Sequence, residues 1–152
     1  MIVDLTLERA LYIAHNMVKD DFDEIMATHW GDTIDGFAEQ CVAANGLNMC
    51  SLADDGTPVA MGGIALFQPK VGTAWMVGTS RMIEKKIEVT RFAKQAIHKS
   101  LQDGVVHRVN AFASALHLRT HPWLRSLGLN EENTLKKWGK NGEDFIIFAK
   151  VV

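Results

Sequence analysis

Residues 47–101 contain three strand-like runs followed by one long helical run, and this order limits the folds that the chain can adopt. The runs LNMCSLA, TPVAMGGIALF and TAWMVG are separated by the turn-forming segments DDG and QPKVG, so we predict an antiparallel meander. The pattern then changes to helical spacing over Glu84–Leu101, and Gly104 follows as a helix-ending residue. Gly62 and Gly63, inside the second run, predict either a β-bulge or the close approach of another backbone.

Upstream of the meander, the sequence predicts one strand and three helices. MIVDL has the pattern of a strand, Thr6 can cap the helix that follows, and TIDGFAEQCVAANG predicts a further helix that ends at Asn-Gly. Between these helices lies KDDFDEIMATHW, in which Asp21 and Glu24 stand three residues apart. We interpret these two acids as a capping box at the start of a short helix.

Downstream of the long helix, the chain returns to strands. VHRVNAFA predicts a strand, and SALHLRTHPWLRSLGL is helical around Pro122, which either kinks the helix or starts a second segment. An Asn-Gly pair then joins TLKKWGK and EDFIIFAKVV in a final hairpin. We therefore predict a single domain over residues 1–152, of the α/β class, with a mixed sheet whose N-terminal half is antiparallel and which is flanked by helices.

Composition and charge narrow the classes of function. The 152 residues carry a net charge of −2 and 47% hydrophobic residues, which is typical of a soluble domain and argues against a nucleic-acid-binding protein. Cys41 and Cys50 lie in apolar segments, so we expect two buried free thiols. The first residues follow a helical pattern and not that of a signal peptide. No apolar run approaches the roughly 18 residues of a membrane span, so we expect a soluble, intracellularly made chain.

The order of elements resembles the GNAT acyltransferase fold across nearly the whole chain. Two segments carry the resemblance: Thr57–Leu101, where the meander runs into the long helix, and Ser114–Leu129, where WLRSLGL takes the place of the family's fyeklGF-like phrase. The resemblance implies a gap between the two central strands that would admit the pantetheine arm of acetyl-CoA. It also implies that the pyrophosphate would contact the turn after the third meander strand, at Val77, Gly78, Thr79, Ser80 and Arg81.

The sequence of this turn departs from the family motif [Q/R]-x-x-G-x-[G/A], in which small residues let backbone amides approach the phosphates. Gly78 is present, but Met82 and Glu84 occupy positions that should be small. Glu84 also places a negative charge near the helix start, although Arg81 opposes it. The sequence therefore predicts a weakened or vestigial phosphate cradle, in which Thr79 or the following serine caps the helix.

Spacing alone singles out no catalytic residue and no metal site. Many GNAT enzymes use a tyrosine in the late helix to protonate the leaving thiolate, whereas the one tyrosine of this chain, Tyr12, lies in the first helix. The late segment has His117, His121 and Trp123 instead, and a histidine can act as an acid or a base near neutral pH. The two histidines would share one face of an unbroken helix, but no HExxH pattern accompanies them, so we predict no bound metal.

A closer resemblance is carried by LTLERALYIAHNM…DFDEIMATHW and NGEDFIIF. These segments are similar to the GNAT-like internal virion protein A family of short-tailed phages and prophages. The resemblance implies a virion-associated structural or assembly protein without a cofactor, with other virion proteins as partners, found in the virion or in the cytoplasm of the infected cell. The alternative is an active acyl-CoA-dependent N-acyltransferase that uses a modified cradle at Gly78–Arg81.

Overall fold

A computed structural model, which describes residues 1–31 and 33–152, has one seven-stranded sheet with helices packed on both faces. The elements in chain order are β1 (Ile2–Asp4), α1 (Leu7–Asn16), α2 (Lys19–Thr28), α3 (Ile34–Ala43), β2 (Gly46–Leu52), β3 (Pro58–Gln68), β4 (Val71–Gly78), a 3-10 helix (Ser80–Lys85), α4 (Lys86–Gln102), β5 (Arg108–Ser114), α5 (Thr120–Ser126), β6 (Asn130–Leu135) and β7 (Phe145–Val151).

The strand order is β1-β2-β3-β4-β5-β7-β6. Strands β1 to β4 pair antiparallel, which confirms the predicted meander and the antiparallel N-terminal half of a mixed sheet. Strands β4 and β5 are parallel neighbours, and α4 provides the crossover between them. Strands β5, β7 and β6 then complete the sheet with antiparallel pairs.

Each face of the sheet buries its own hydrophobic cluster, because successive strand residues point to opposite faces. The cluster under α1 and α3 includes Ala10, Ile13, Phe37, Ala38, Cys41, Cys50, Met61 and Val77. The cluster under α4 and α5 includes Ile64, Ile97, Leu101, Val109, Ala111, Leu124, Leu129 and Phe148. Both cysteines are buried free thiols, as predicted. Among the described residues, no helix combines the length and hydrophobicity that a membrane span requires.

Gly62 and Gly63 mark a close approach of neighbouring backbones, one of the two alternatives that the sequence left open. A Cβ atom on Gly63 would lie 1.7 Å from the carbonyl oxygen of Leu47, and one on Gly62 would lie 2.6 Å from that of Trp75. The register shifts of β3 lie elsewhere, at its two ends. The paired glycines therefore let β2 and β4 pack closely on both sides of β3.

Several predicted boundaries are wrong. The predicted helix Glu84–Leu101 corresponds to α4, which begins at Lys86 after the 3-10 helix and ends at Gln102. The predicted helix over SALHLRTHPWLRSLGL is much shorter in the structure, where it corresponds to α5, which begins at Thr120 and ends at Ser126. Pro122 thus lies in its first turn, where its missing N–H breaks no helical hydrogen bond. The predicted strand TLKKWGK is also shifted, because β6 ends at Leu135 and the lysine-rich part forms a loop.

Candidate functional site

Strands β4 and β5 pair only at their beginnings and leave a gap between their ends. The parallel ladder joins Val71–Thr73 to Arg108–Asn110 and goes no further. Beyond it lies a cavity of about 610 Å³, lined from the two strands by Ala74, Met76, Ala111 and Phe112 among others. Ala74 and Ala111 present small side chains to the cavity on the face covered by α4 and α5.

The edge of β4 that faces this gap has no partner strand beyond Thr73. The Thr79 nitrogen donates to the Val59 carbonyl of β3 at 2.9 Å, so the preceding amide, that of Gly78, points the opposite way. By the same alternation, the Met76 N–H also points toward the gap. A strand edge of this kind can hydrogen-bond the amides of an extended ligand, as it would those of an added strand.

Helix α2 closes the wide end of the gap with two carboxylates. The Asp21 Oδ2 atom accepts a hydrogen bond of 2.9 Å from the Gly78 nitrogen at the end of β4. One helical turn later, the Glu24 Oε2 atom accepts one of 2.9 Å from the Ser114 nitrogen at the end of β5. The predicted capping box is therefore wrong: α2 begins at Lys19, the preceding Val18 provides no side-chain cap, and both acids bond distant amides.

His117 lies between these two carboxylates. Its Nδ1 atom is 2.8 Å from Glu24 Oε2, and its Nε2 atom is 3.0 Å from the Thr120 hydroxyl and 3.8 Å from Asp21 Oδ1. The side chains of His117, Asp21 and Glu24 are 11%, 15% and 18% exposed, so the group is largely shielded from bulk water. All of these residues line the cavity.

Burial and mutual contact shift the proton affinities in this cluster. Burial raises the pKa of Asp21 to about 6, although the Gly78 amide and His117 oppose the shift. The hydrogen bond to Glu24 raises the pKa of His117 above its usual value, and burial opposes it. Near neutral pH, the cluster therefore contains an ionised Asp21 next to a histidine that readily carries a proton.

An aromatic pair forms another part of the cavity wall. The rings of Phe112 and Trp138 stack at 5.6 Å with an interplanar angle of 4°. The loop that carries Trp138 is tied to the end of α2, because the Lys140 nitrogen donates to the Ala27 carbonyl at 2.7 Å. The stack and α2 thus lie on the same side of the gap, opposite the α4 face.

The five residues predicted to contact a cofactor lie at the end of β4 and the start of the 3-10 helix. Val77 is buried under α1 and α3, whereas Gly78 and Thr79 line the cavity, as does Ser80. The Thr79 hydroxyl accepts from the Arg81 nitrogen, so Thr79 caps the 3-10 helix as predicted.

Two contacts engage the side chains that follow this turn. Met82 packs on Gly78, where an added Cβ would lie 2.7 Å from the Met82 sulfur. Arg81 donates two hydrogen bonds to Glu84, at 2.8 and 3.0 Å, and one of 3.1 Å to Asp55. The Arg81 guanidinium is therefore held by two carboxylates, and the Met82 side chain covers Gly78.

Lys86 is the cation at this end of the cavity that is best placed to meet an anion. It begins α4, is exposed, lines the cavity and forms no ion pair with any residue that the structure describes. Its neighbour Lys85 is held by Asp54 at 2.6 Å. The Lys86 side chain and the amide groups at the start of α4 could therefore hold the phosphates of a CoA-like ligand. The Arg81 guanidinium is already held by Glu84 and Asp55.

The late-segment residues take different roles from one another. His121 is buried, and its Nε2 atom contacts the Ser114 carbonyl at 2.9 Å, so it supports the end of β5. The Trp123 Nε1 atom donates to the Thr90 hydroxyl of α4 at 2.9 Å. His117 precedes α5, so the two histidines do not share a helix face. Within residues 1–31 and 33–152, no three His, Cys, Asp or Glu side chains are grouped to hold a metal ion.

Comparison with known proteins gives a consistent fold at low sequence identity. No protein-family profile matches the sequence, and no curated protein matches it. Three similar solved structures are a GNAT-family acetyltransferase from Bacillus anthracis, a ribosomal-protein-S5-alanine acetyltransferase from Vibrio fischeri and a variant of spermidine N-acetyltransferase from Vibrio cholerae.

The similarity extends over 99% of this chain in all three cases and over 93%, 91% and 94% of the other chains, respectively. The TM-scores are 0.75, 0.70 and 0.73, at 13%, 16% and 12% identity. This near-complete agreement shows that the chain has the GNAT acetyltransferase fold.

Proposed function

We propose that this protein is an acyl-CoA-dependent N-acyltransferase. The observation that carries the proposal is the gap between β4 and β5, which is open beyond Thr73 and is closed at its wide end by Asp21, Glu24 and His117. An extended thioester arm fits along the β4 edge, and ionisable groups lie where an amine could meet it. Structural neighbours named as acetyltransferases support the same activity.

The acceptor is proposed to enter from the α2 side. Asp20, Asp21 and Glu24 line this side with negative charge, and Trp138 adds an aromatic face. Carboxylates and aromatic faces both attract a cationic amine. Spermidine and a peptide with an N-terminal alanine are therefore suitable first acceptors, since two of the structural neighbours are named for these kinds of substrate.

Isothermal titration with acetyl-CoA tests the binding step. We expect saturable binding that Ala74→Leu weakens at least about tenfold, since the larger side chain would enter the cavity that Ala74 lines. Ala43→Leu, at an exposed position of α3, is the control and should bind as the wild type does. Release of free thiol in the presence of each amine then tests transfer. Absence of saturable heat together with absence of thiol release would contradict the proposal.

A virion-associated structural or assembly role is the second candidate. It is supported by the cradle region, where Met82 fills the space over Gly78 and Arg81 is engaged by Glu84 and Asp55. On this reading, the partners are other virion proteins and the gap has lost its ligand. Mass spectrometry of purified particles would detect the chain, and the acetyl-CoA titration would show no saturable heat.

A further inference from the structure

The cluster at the wide end of the gap contains two groups that can exchange protons with ligands in the cavity. Asp21 uses Oδ2 to accept from Gly78, while Oδ1 accepts no hydrogen bond from the residues that the structure describes. His117 uses Nδ1 for Glu24, so its Nε2 atom is the one directed toward Asp21 and Thr120. Each group thus uses one atom to fix its position, while Asp21 Oδ1 and His117 Nε2 face each other at 3.8 Å and Nε2 also contacts the Thr120 hydroxyl at 3.0 Å.

We propose that Asp21 is the general base and His117 the general acid of acyl transfer, and that Glu24 is the residue that positions His117. This assignment rests on the proposed function and adds the residues that perform its proton transfers. It replaces the late-helix tyrosine, which this chain lacks, with a histidine that precedes α5.

The protons balance over the proposed acyl transfer from the thioester to the amine. The amine reacts in its neutral form, after the ammonium group has released one proton to solvent. Its nitrogen forms a bond to the thioester carbonyl carbon, and the carbon–sulfur bond breaks. One N–H proton passes to Asp21 Oδ1, and the His117 Nε2 proton passes to the departing thiolate. Asp21 is then neutral and His117 unprotonated, and transfer of one proton across the 3.8 Å between them restores the starting state.

Electrostatics around the pair agrees with this division of roles. The charged groups that face His117 are Asp20, Asp21 and Glu24, all from α2, and Arg119 lines the same cavity. The three acids favour the imidazolium form of His117, so it can donate. Burial of Asp21 increases the basicity of its carboxylate, so it can accept a proton that an exposed aspartate would leave on the amine.

The first experiment measures the pH dependence of kcat and kcat/KM with acetyl-CoA and spermidine in the wild type and in Asp21→Asn, His117→Gln and Glu24→Gln. The wild type should give a bell-shaped profile, with an acid limb near pH 6. Asp21→Asn should lose about 100-fold in kcat together with the acid limb, and His117→Gln should lose the alkaline limb. Glu24→Gln should move the alkaline limb to lower pH. His98→Gln, at an exposed site on α4, is the control and should match the wild type.

The second experiment follows the His117 ring by NMR through a pH titration of the protein without ligand. The His117 pKa should lie above the usual histidine value in the wild type and should fall in Glu24→Gln. If Glu24 only supported the fold and did not stabilise the imidazolium, the substitution would leave this pKa unchanged. Circular dichroism and thermal unfolding identify any variant that fails to fold. The folded variants then test the roles assigned to Asp21, His117 and Glu24.

The outcomes separate the two proposals. Turnover whose pH limbs are the same in every folded variant would overturn the assignment of Asp21 and His117 and leave the acyltransferase function intact. An unshifted His117 ring in the wild type would likewise overturn the positioning role of Glu24. Absence of both acetyl-CoA binding and turnover would overturn the proposed function and, with it, this assignment.

Discussion

The carboxylate of Asp21 accepts a hydrogen bond from the backbone nitrogen of Gly78, 57 residues away, at 2.9 Å. A second hydrogen bond joins the same two segments, from the Val18 nitrogen to the Gly78 carbonyl at 3.0 Å. The start of α2 is therefore docked on the last residue of β4. This contact gives an acidic side chain a fixed place at the end of the gap.

Asp21→Asn should stabilise the protein at alkaline pH. The pKa of Asp21 is about 6 in the folded chain and 3.8 without the fold, so folding favours the protonated form. The resulting penalty is absent below about pH 3.8, develops as pH rises to about 6 and is complete above it, at about 3 kcal/mol. An amide in place of the carboxylate removes this penalty.

Thermal and urea unfolding at two pH values measure this effect. At pH 8, Asp21→Asn should raise the free energy of unfolding by about 1–3 kcal/mol, and at pH 4 it should change little. Asp23→Asn, on the exposed side of the same helix, is the control and should stay within about 0.5 kcal/mol of the wild type. Equal effects of Asp21→Asn at both pH values would contradict the buried, ionised state of Asp21.

Glu24→Ala should destabilise the protein by about 2–4 kcal/mol, because the Ser114 amide and the His117 ring both lose their acceptor. The loss should be larger at pH 5.5 than at pH 9. The raised pKa of His117 means that its contribution is present below the unfolded value of 6.5 and is lost as pH rises through the folded value.

Chemical denaturation at the two pH values measures this difference. Glu39→Ala, at an exposed position of α3, is the control and should change stability by less than about 0.5 kcal/mol. A loss in Glu24→Ala that does not depend on pH would show that the carboxylate does not stabilise the imidazolium.

Gly63→Ala should be among the most damaging single substitutions, with a loss of about 3 kcal/mol or more. The added Cβ would lie 1.7 Å from the Leu47 carbonyl oxygen, and that backbone atom cannot move without breaking the β2–β3 ladder. Gly104→Ala is a useful comparison, since Gly104 has φ of 69° and open space around it. It should cost only about 1–2 kcal/mol in urea denaturation. Similar losses in the two variants would contradict a steric origin at Gly63.

Lys86→Gln should weaken acetyl-CoA binding about fivefold, since it removes a cation that no described residue pairs with at the start of α4. The weakening should decrease at high salt, because exposed charges are screened. Titration calorimetry at two salt concentrations measures both effects. Lys94→Gln, further along the same helix, serves as the matched control. Equal affinities of the Lys86 and Lys94 variants would place the phosphates elsewhere.

Local periodicity was sufficient to predict most of the architecture. The meander, the long helix after it and the mixed sheet are confirmed, because alternating and helical patterns of apolar residues determine which faces can be buried. Boundaries were less predictable where tertiary contacts compete with local preference. The shift of β6 is one such case, since Trp138 lies in a loop and stacks on Phe112 of β5.

The candidate site was only partly predictable. The sequence indicated the turn after β4 and named His117 as a residue capable of acid–base chemistry. It did not indicate Asp21 or Glu24 as site residues, since two acids at this spacing near a helix start also fit a capping box. The pairing of Glu24 with Ser114 and His117 joins residues 90 and 93 positions apart, and no local pattern carries that information.

The sequence by itself determined the order of most strands and helices, though not all of their boundaries, because that order depends on side-chain periodicity within short segments. Only the tertiary structure decided that β4 and β5 part after three residue pairs and that α2 lies across their ends. The physical reason is that a carboxylate accepts equally well from the amides of its own helix or from distant ones. Packing of α2 against both strand ends makes the distant amides of Gly78 and Ser114 the partners and so creates the cluster with His117.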